Sequence, residues 1–135
     1  VGQHGTTFGG GPLACRVALE FLAILEEEKL LEDVSRVGAY LQQQLKDVIE
    51  KNAGAQEVRG RGLIQGLQLD RPARPIVEEA LKEGVLFNST QDTVLRFLPP
   101  FLIEEKHVDK GMKVLKKLLG KKEGGKESWN PFAKA

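Results

Sequence analysis

Two hydroxyls, Thr6 and Thr7, stand in the run His4-Gly5-Thr6-Thr7-Phe8-Gly9-Gly10-Gly11-Pro12-Leu13-Ala14 and are suited to holding an anion. Hydroxyls donate to phosphate oxygens. Glycines reach backbone geometries closed to other residues and let a ligand or another chain approach closely. Pro12 fits the first turn of a helix, whose amino end offers free N–H groups and partial positive charge. The Lys-Ser/Thr ending of a nucleotide P-loop is missing, and Gly60-x-Gly62 is followed by Gly66 instead of a glycine at 65, which breaks the dinucleotide spacing. A plain loop leading into a helix is the alternative reading. The run begins four residues from the first residue, Val1, with no preceding strand, signal sequence or start methionine. It is therefore expected to be half of a site in a piece of a longer protein.

Arg96 is the second candidate, directly ahead of Phe97-Leu98-Pro99-Pro100. On a strand, its guanidinium is either a surface group at an edge or a fork that grips a substrate carboxylate through two parallel hydrogen bonds. Arg59 and Arg61 could act likewise, but beside glycines they read as turn residues or interface contacts. His4 and His107 are far apart, Cys15 is alone and no carboxylate pair has metal-ligand spacing, so a metal centre or Cys-His nucleophile is not expected. Cys15 reads as a helix residue packed inside. The glutamates at 26 to 28 and the lysines at 116, 117, 121 and 122 read as solvated charge.

The elements that must position these residues follow from periodicity. Leu13, Val17, Phe21, Ile24 and Leu25 recur at helical spacing from Pro12 to about Leu31, and Val34, Val37, Leu41, Leu45 and Val48 mark a second helix from about Glu32 or Asp33 to Asn52–Gly54. Both are expected to bury one face. Residues 56–59 and 63–69 alternate as strands around a turn or bulge at Gly60-Arg61-Gly62. A short helix through Ile76–Leu81 closes at Gly84. Val85–Asn88 and Thr93–Leu98 read as strands joined by a polar turn at 90–92. In the second of these, Val94 and Arg96 share one face while Leu95 and Phe97 share the other. Glu104 to about Leu119 forms a last amphipathic helix. The order α, α, β, β, α, β, β, α predicts an α+β domain with a small antiparallel sheet.

At 135 residues the chain has the size of one domain. A formal charge of +1 creates no field that would recruit nucleic acid or an anionic membrane, and no apolar run is long enough to span a bilayer. A lone cysteine and the lack of a secretory leader fit a cytoplasmic protein. Beyond Gly120 the Gly- and Lys-rich sequence reads as a flexible tail, docked at most through Trp129 and Phe132.

Three segments together, the His4–Ala14 run, Val58-Arg59-Gly60-Arg61-Gly62-Leu63 and Leu95-Arg96-Phe97-Leu98-Pro99-Pro100, resemble in order and spacing the carboxyl-terminal third of class III pyridoxal-phosphate aminotransferases. The likeness runs from about Val1 to Leu119. It implies a fold-type-I transaminase working as a homodimer on amino-acid and 2-oxo-acid substrates. Residues 1–15 would form the edge of the large cofactor domain, 16–119 the small domain and 120–135 the tail.

By resemblance, the hydroxyl of Thr7, with Thr6 beside it, binds the phosphate of pyridoxal 5'-phosphate in the other subunit, and Arg96 holds the substrate α-carboxylate. The lysine that bonds the cofactor would lie upstream of Val1, so the isolated chain is expected to be inactive. The family usually has asparagine where this chain has Gly11, which implies a looser loop. The short connection from Gly66 to Arg96 and the wording of residues 85–88 favour the branch acting on N-acetylornithine over those acting on ornithine, 4-aminobutyrate or succinylornithine. A free-standing α+β binding module remains the reading of a different class.

Overall fold

The computed structural model describes residues 5–120; His4 and the tail beyond Gly120 lie outside it. Its elements are α1 (Pro12–Glu27), α2 (Leu30–Lys51), β1 (Ala55–Arg61), β2 (Ile64–Leu69), α3 (Arg74–Lys82), β3 (Asn88–Thr90), β4 (Val94–Phe97) and α4 (Glu105–Leu119). The four strands form one sheet in the order β1-β2-β4-β3, with every neighbouring pair antiparallel. Because β4 opposes both β2 and β3, those two strands run the same way and need a crossover, which α3 supplies.

Side-chain parity gives the sheet two unlike faces. Leu67 and Leu69 of β2 and Leu95 of β4 are at most 1% exposed, and with Phe97 they meet the buried stripes of α2 (Val37, Leu41, Leu45, Val48) and α4 (Val108, Met112, Leu115, Leu119). The alternate positions, Ile64, Gly66 and Gln68 on β2 and Arg96 on β4, stand on the other face. At about 1.5–3 kcal/mol for each large apolar side chain removed from water, the helix-facing side supplies the driving force for folding.

Between α2 and α4, the Tyr40 hydroxyl donates to Asp109 Oδ1 at 2.6 Å and Arg36 bridges Asp33 and Glu105. The Asp109 hydrogen bond is the main reason the Tyr40 phenol titrates above its ordinary range. At the far end of the pair, the Asn52 side-chain amide donates to the carbonyls of Lys116 (3.1 Å) and Gly120 (2.7 Å), closing the last turn of α4 against the end of α2.

The β1–β2 hairpin turns at Gly62-Leu63. Gly62 takes a φ of +53°, and Leu63 folds under it into the core. Residues 60 and 61 extend β1 instead of forming the turn, and the irregularity in the ladder lies between Ala55 and Glu57. Helix α2 crosses this turn at Gly38, where an added Cβ would lie 2.5 Å from the Gly62 carbonyl carbon.

Three expectations are corrected. The strand expected at 85–88 lies at Asn88–Thr90, because Val85 and Phe87 turn into the space beside α4 and leave the ladder to the residues after them. The first helix ends at Glu27, and Lys29, in the left-handed region, starts α2 at Leu30. Helix α1 buries no residue: Leu13, Val17 and Phe21 are 79%, 61% and 47% exposed, and Cys15, expected inside, is exposed as well. The apolar stripe is present at helical spacing, but only a single edge of α1 meets the rest of the chain, through contacts such as Phe21 with Phe101 at a ring-centroid separation of 5.9 Å. No described helix is long and apolar enough to cross a membrane.

Gly38→Ala should gain about 1 kcal/mol of helix propensity yet destabilise the chain by roughly 1–3 kcal/mol net, because the methyl meets backbone and not a movable side chain. Denaturant unfolding measures this, and a stabilised variant would contradict the close helix–turn approach. The bare stripe on α1 predicts that the purified chain self-associates, and that serines at Leu13 and Val17 together suppress association without lowering the melting temperature. A monodisperse monomer of the unaltered chain in light scattering would refute this.

Candidate functional site

The register places one row of residues across all four strands on the helix-free face: Arg59 on β1, Gly66 on β2, Arg96 on β4 and Asn88 on β3. The two arginines in this row differ in their engagements. Arg59 Nη1 pairs with Glu57 Oε2 at 3.2 Å and its Nη2 donates to Gln68 Oε1 at 3.4 Å. Gln68 is in turn fixed by donating to Thr93 Oγ1 at 2.8 Å. Arg96 is exposed and has no hydrogen bond or ion pair among the described residues, whereas Arg16, Arg36, Arg71 and Arg74 are each paired with a carboxylate. Arg61, which faces Ile64 at the hairpin end, has no ion pair among the described residues either. An unengaged guanidinium on a rigid strand keeps its planar donor fork available for an external carboxylate.

Arg96 also lies at a pocket of about 390 Å³ at the end of β4. Apolar side chains line most of it, among them Leu41, Phe87, Phe97, Leu98 and Met112, and Phe87 and Phe97 meet edge to face at 5.5 Å. Its polar lining residues are Asn88, Arg96 and His107. The imidazole of His107 is committed locally, since its Nδ1 accepts from the Glu104 backbone N–H at 3.2 Å and so helps begin α4. Arg96 and Asn88 are left as the polar groups free to meet a ligand there.

The glycine-rich run forms an exposed bend ahead of α1. Thr6 Oγ1 accepts from the backbone N–H of Gly9 at 3.2 Å, and Thr7 is exposed with no partner among the described residues. Gly11 is the N-cap of α1 and no side chain caps it, so the first-turn amides remain open. A Cβ at Gly5 or Gly10 would meet nothing within 4 Å. Two hydroxyls and open helix-end amides, approachable from outside, fit a phosphate-bearing group. No residue of this bend lines the pocket beside Arg96, and no hydrogen bond among the described residues links the two places. Thr6 and Thr7 are brought together with each other but not with Arg96.

Sequence reasoning missed Gly66 and Asn88 as neighbours of Arg96. Strand parity could have found Gly66, two positions from Gln68 on the same face, whereas the shift of β3 hid Asn88. Among the described residues, no three His, Cys, Asp or Glu side chains are grouped as metal ligands would be.

The Aminotransferase class-III family matches residues 1–119. The acetylornithine aminotransferase of Aquifex aeolicus is 45% identical over 118 residues, covering 87% of this chain and 30% of that protein. The ornithine aminotransferase of Staphylococcus carnosus is 44% identical over 118 residues, with coverages of 87% and 29%. The crystal structure of acetylornithine aminotransferase from Elizabethkingia anophelis superposes with a TM-score of 0.77 at 31% identity, covering 88% of this chain and 32% of that one. The chain thus spans about 30% of the length of the curated relatives it matches.

Because the Arg96 guanidinium makes no hydrogen bond or ion pair among the described residues, Arg96→Gln should change the stability of the chain by no more than about 0.5 kcal/mol. A loss above 2 kcal/mol on denaturant titration would mean that the side chain has a structural partner.

Proposed function

The chain belongs to the class-III aminotransferases, and we propose that it is the carboxyl-terminal portion of an enzyme that moves the amino group of N-acetylornithine to 2-oxoglutarate, a step of arginine biosynthesis. In this reading residues 1–15 sit at the edge of the large cofactor domain and residues 16–119 make the small domain. The exposed stripe of α1 supports the division, because it gives the small domain an apolar surface to set against another body. The enzyme works as a homodimer in the cytoplasm, a reducing compartment that suits the exposed lone Cys15.

The observation that carries the proposal is Arg96: a guanidinium on a central strand, exposed, beside a pocket and without an ion pair among the described residues. Its role is to bind and orient. Two parallel N–H···O bonds to the α-carboxylate would fix the plane of an amino-acid or 2-oxo-acid substrate, and both half-reactions use this grip because both substrates carry that carboxylate. Phe97, Leu98 and Pro99 contribute apolar lining to the pocket beside it.

Class-III aminotransferases depend on pyridoxal 5'-phosphate, which when bound serves as an electron sink for charge developing at the substrate α-carbon. Thr7, with Thr6 beside it, would hold the phosphate, and the open amides at the start of α1 add positive potential there. By its resemblance to the family, we assign Thr7 to the cofactor of the neighbouring subunit, an assignment that agrees with the bend's separation from Arg96 within one chain. The isolated chain, which spans about 30% of its relatives, would not turn over alone.

The whole enzyme should prefer N-acetylornithine to ornithine in kcat/KM, and Arg96→Gln should raise KM for donor and acceptor alike by at least about tenfold, the cost of a lost charged hydrogen bond. Preference for ornithine would overturn the substrate assignment. Unchanged KM values would overturn the role of Arg96, and turnover by the isolated chain would overturn the division of labour.

A further inference from the structure

Gly66 is the residue directly opposite Arg96 on β2, and Arg59 flanks it on the other side. Directly opposed residues of an antiparallel pair place their Cβ atoms about 4.5–5.5 Å apart on the same face. A side chain at 66 would therefore stand beside the base of Arg96, on the face where the guanidinium lies. The bare position leaves a gap bordered by Val94, Arg59 and Arg96.

Packing does not require the gap. An added Cβ would lie 3.4 Å from Val94 Cγ1, 3.6 Å from the Arg59 carbonyl oxygen and 3.9 Å from Arg59 Cγ, which are ordinary contacts. Nor does the backbone: Gly66 is absent from the positive-φ positions, in contrast to Gly60 and Gly62 in the same hairpin. A glycine inside a central strand gives up side-chain packing and costs conformational entropy. Neither collision nor backbone geometry accounts for it here. The Arg59 guanidinium is held by Glu57 and Gln68.

We propose that Gly66 is a positioning residue for the carboxylate grip: by having no side chain it keeps the sheet floor beside Arg96 open, so that a substrate carboxylate settles against the guanidinium in the plane of its fork. The proposal rests on the assignment of Arg96 as the carboxylate-binding residue. It goes further in naming the position that sets how closely the carboxylate approaches. A side chain at 66 would compete with the ligand and leave the fold intact.

The test uses the whole enzyme and glutarate, an unreactive dicarboxylate with the carbon skeleton of 2-oxoglutarate. Calorimetric titration of glutarate and steady-state kinetics are compared for the unaltered enzyme, Gly66→Ala, Arg96→Gln and the double variant Gly66→Ala with Val94→Ala. Gly66→Ala is expected to weaken glutarate binding and raise KM for 2-oxoglutarate by about tenfold, with kcat within about twofold and an unchanged melting temperature. The double variant removes the methyl that a Cβ at 66 would touch, which relieves any crowding there but does not clear the side chain from beside Arg96, so its glutarate affinity should stay low. Recovery of full affinity in the double variant would overturn the proposal, because Gly66 would then serve packing alone. Full affinity in Gly66→Ala with binding lost in Arg96→Gln would overturn it while leaving Arg96 in place. Unchanged binding in Arg96→Gln would overturn the carboxylate assignment and this proposal with it.

Discussion

The pairing of β2 with β4 is the constraint on which the rest of the molecule depends. Leu67 stands opposite Leu95, and both are fully buried beneath α2 and α4. Side chains alternate along a strand, so this one pairing decides which residues face the helices and which face away. A slip of one residue would put Arg96 into the core and Leu95 into solvent, at a cost of several kcal/mol for the unpaired charge alone. The burial that drives folding and the exposure of Arg96 are thus two results of a single register.

The helix layer makes that register firm. Helices α2 and α4 present buried stripes, and polar contacts at both ends and in the middle fix their relative position: Arg36 with Glu105, Tyr40 with Asp109, and Asn52 with the last carbonyls of α4. The two exposed contacts, Arg36 with Glu105 and Tyr40 with Asp109, add little stability each but specify alignment, whereas Asn52 is buried. Arg96 on β4 is consequently mounted on a buried part of the structure.

Much of this could be read from the sequence, and the failures have physical causes. The stripes of α2 and α4 were legible because their apolar spacing coincides with real burial. The parity of β4 was legible because Leu95 and Phe97 alternate with Arg96. Helix α1 has just as clear a periodicity, yet its stripe is exposed. Periodicity reports that a face is suited to burial and not that its partner lies within the same stretch of chain. The strand at Asn88–Thr90 was placed three residues early because Val85 and Phe87 are apolar for packing beside α4, not for a place in the ladder. Thr6, Thr7 and Arg96 were found by residue type and by resemblance. Gly66 has no functional group, so its importance emerges only when its cross-strand neighbours are known.

The amide of Asn52 has a consequence for how the molecule opens. By holding the carbonyls of Lys116 and Gly120, it ties the end of one helix to the end of another that lies more than sixty positions away in the chain. Helix ends ordinarily fray independently, one turn at a time. Here the two ends must loosen together, which makes unravelling at that corner a cooperative event and shields its amides from solvent exchange.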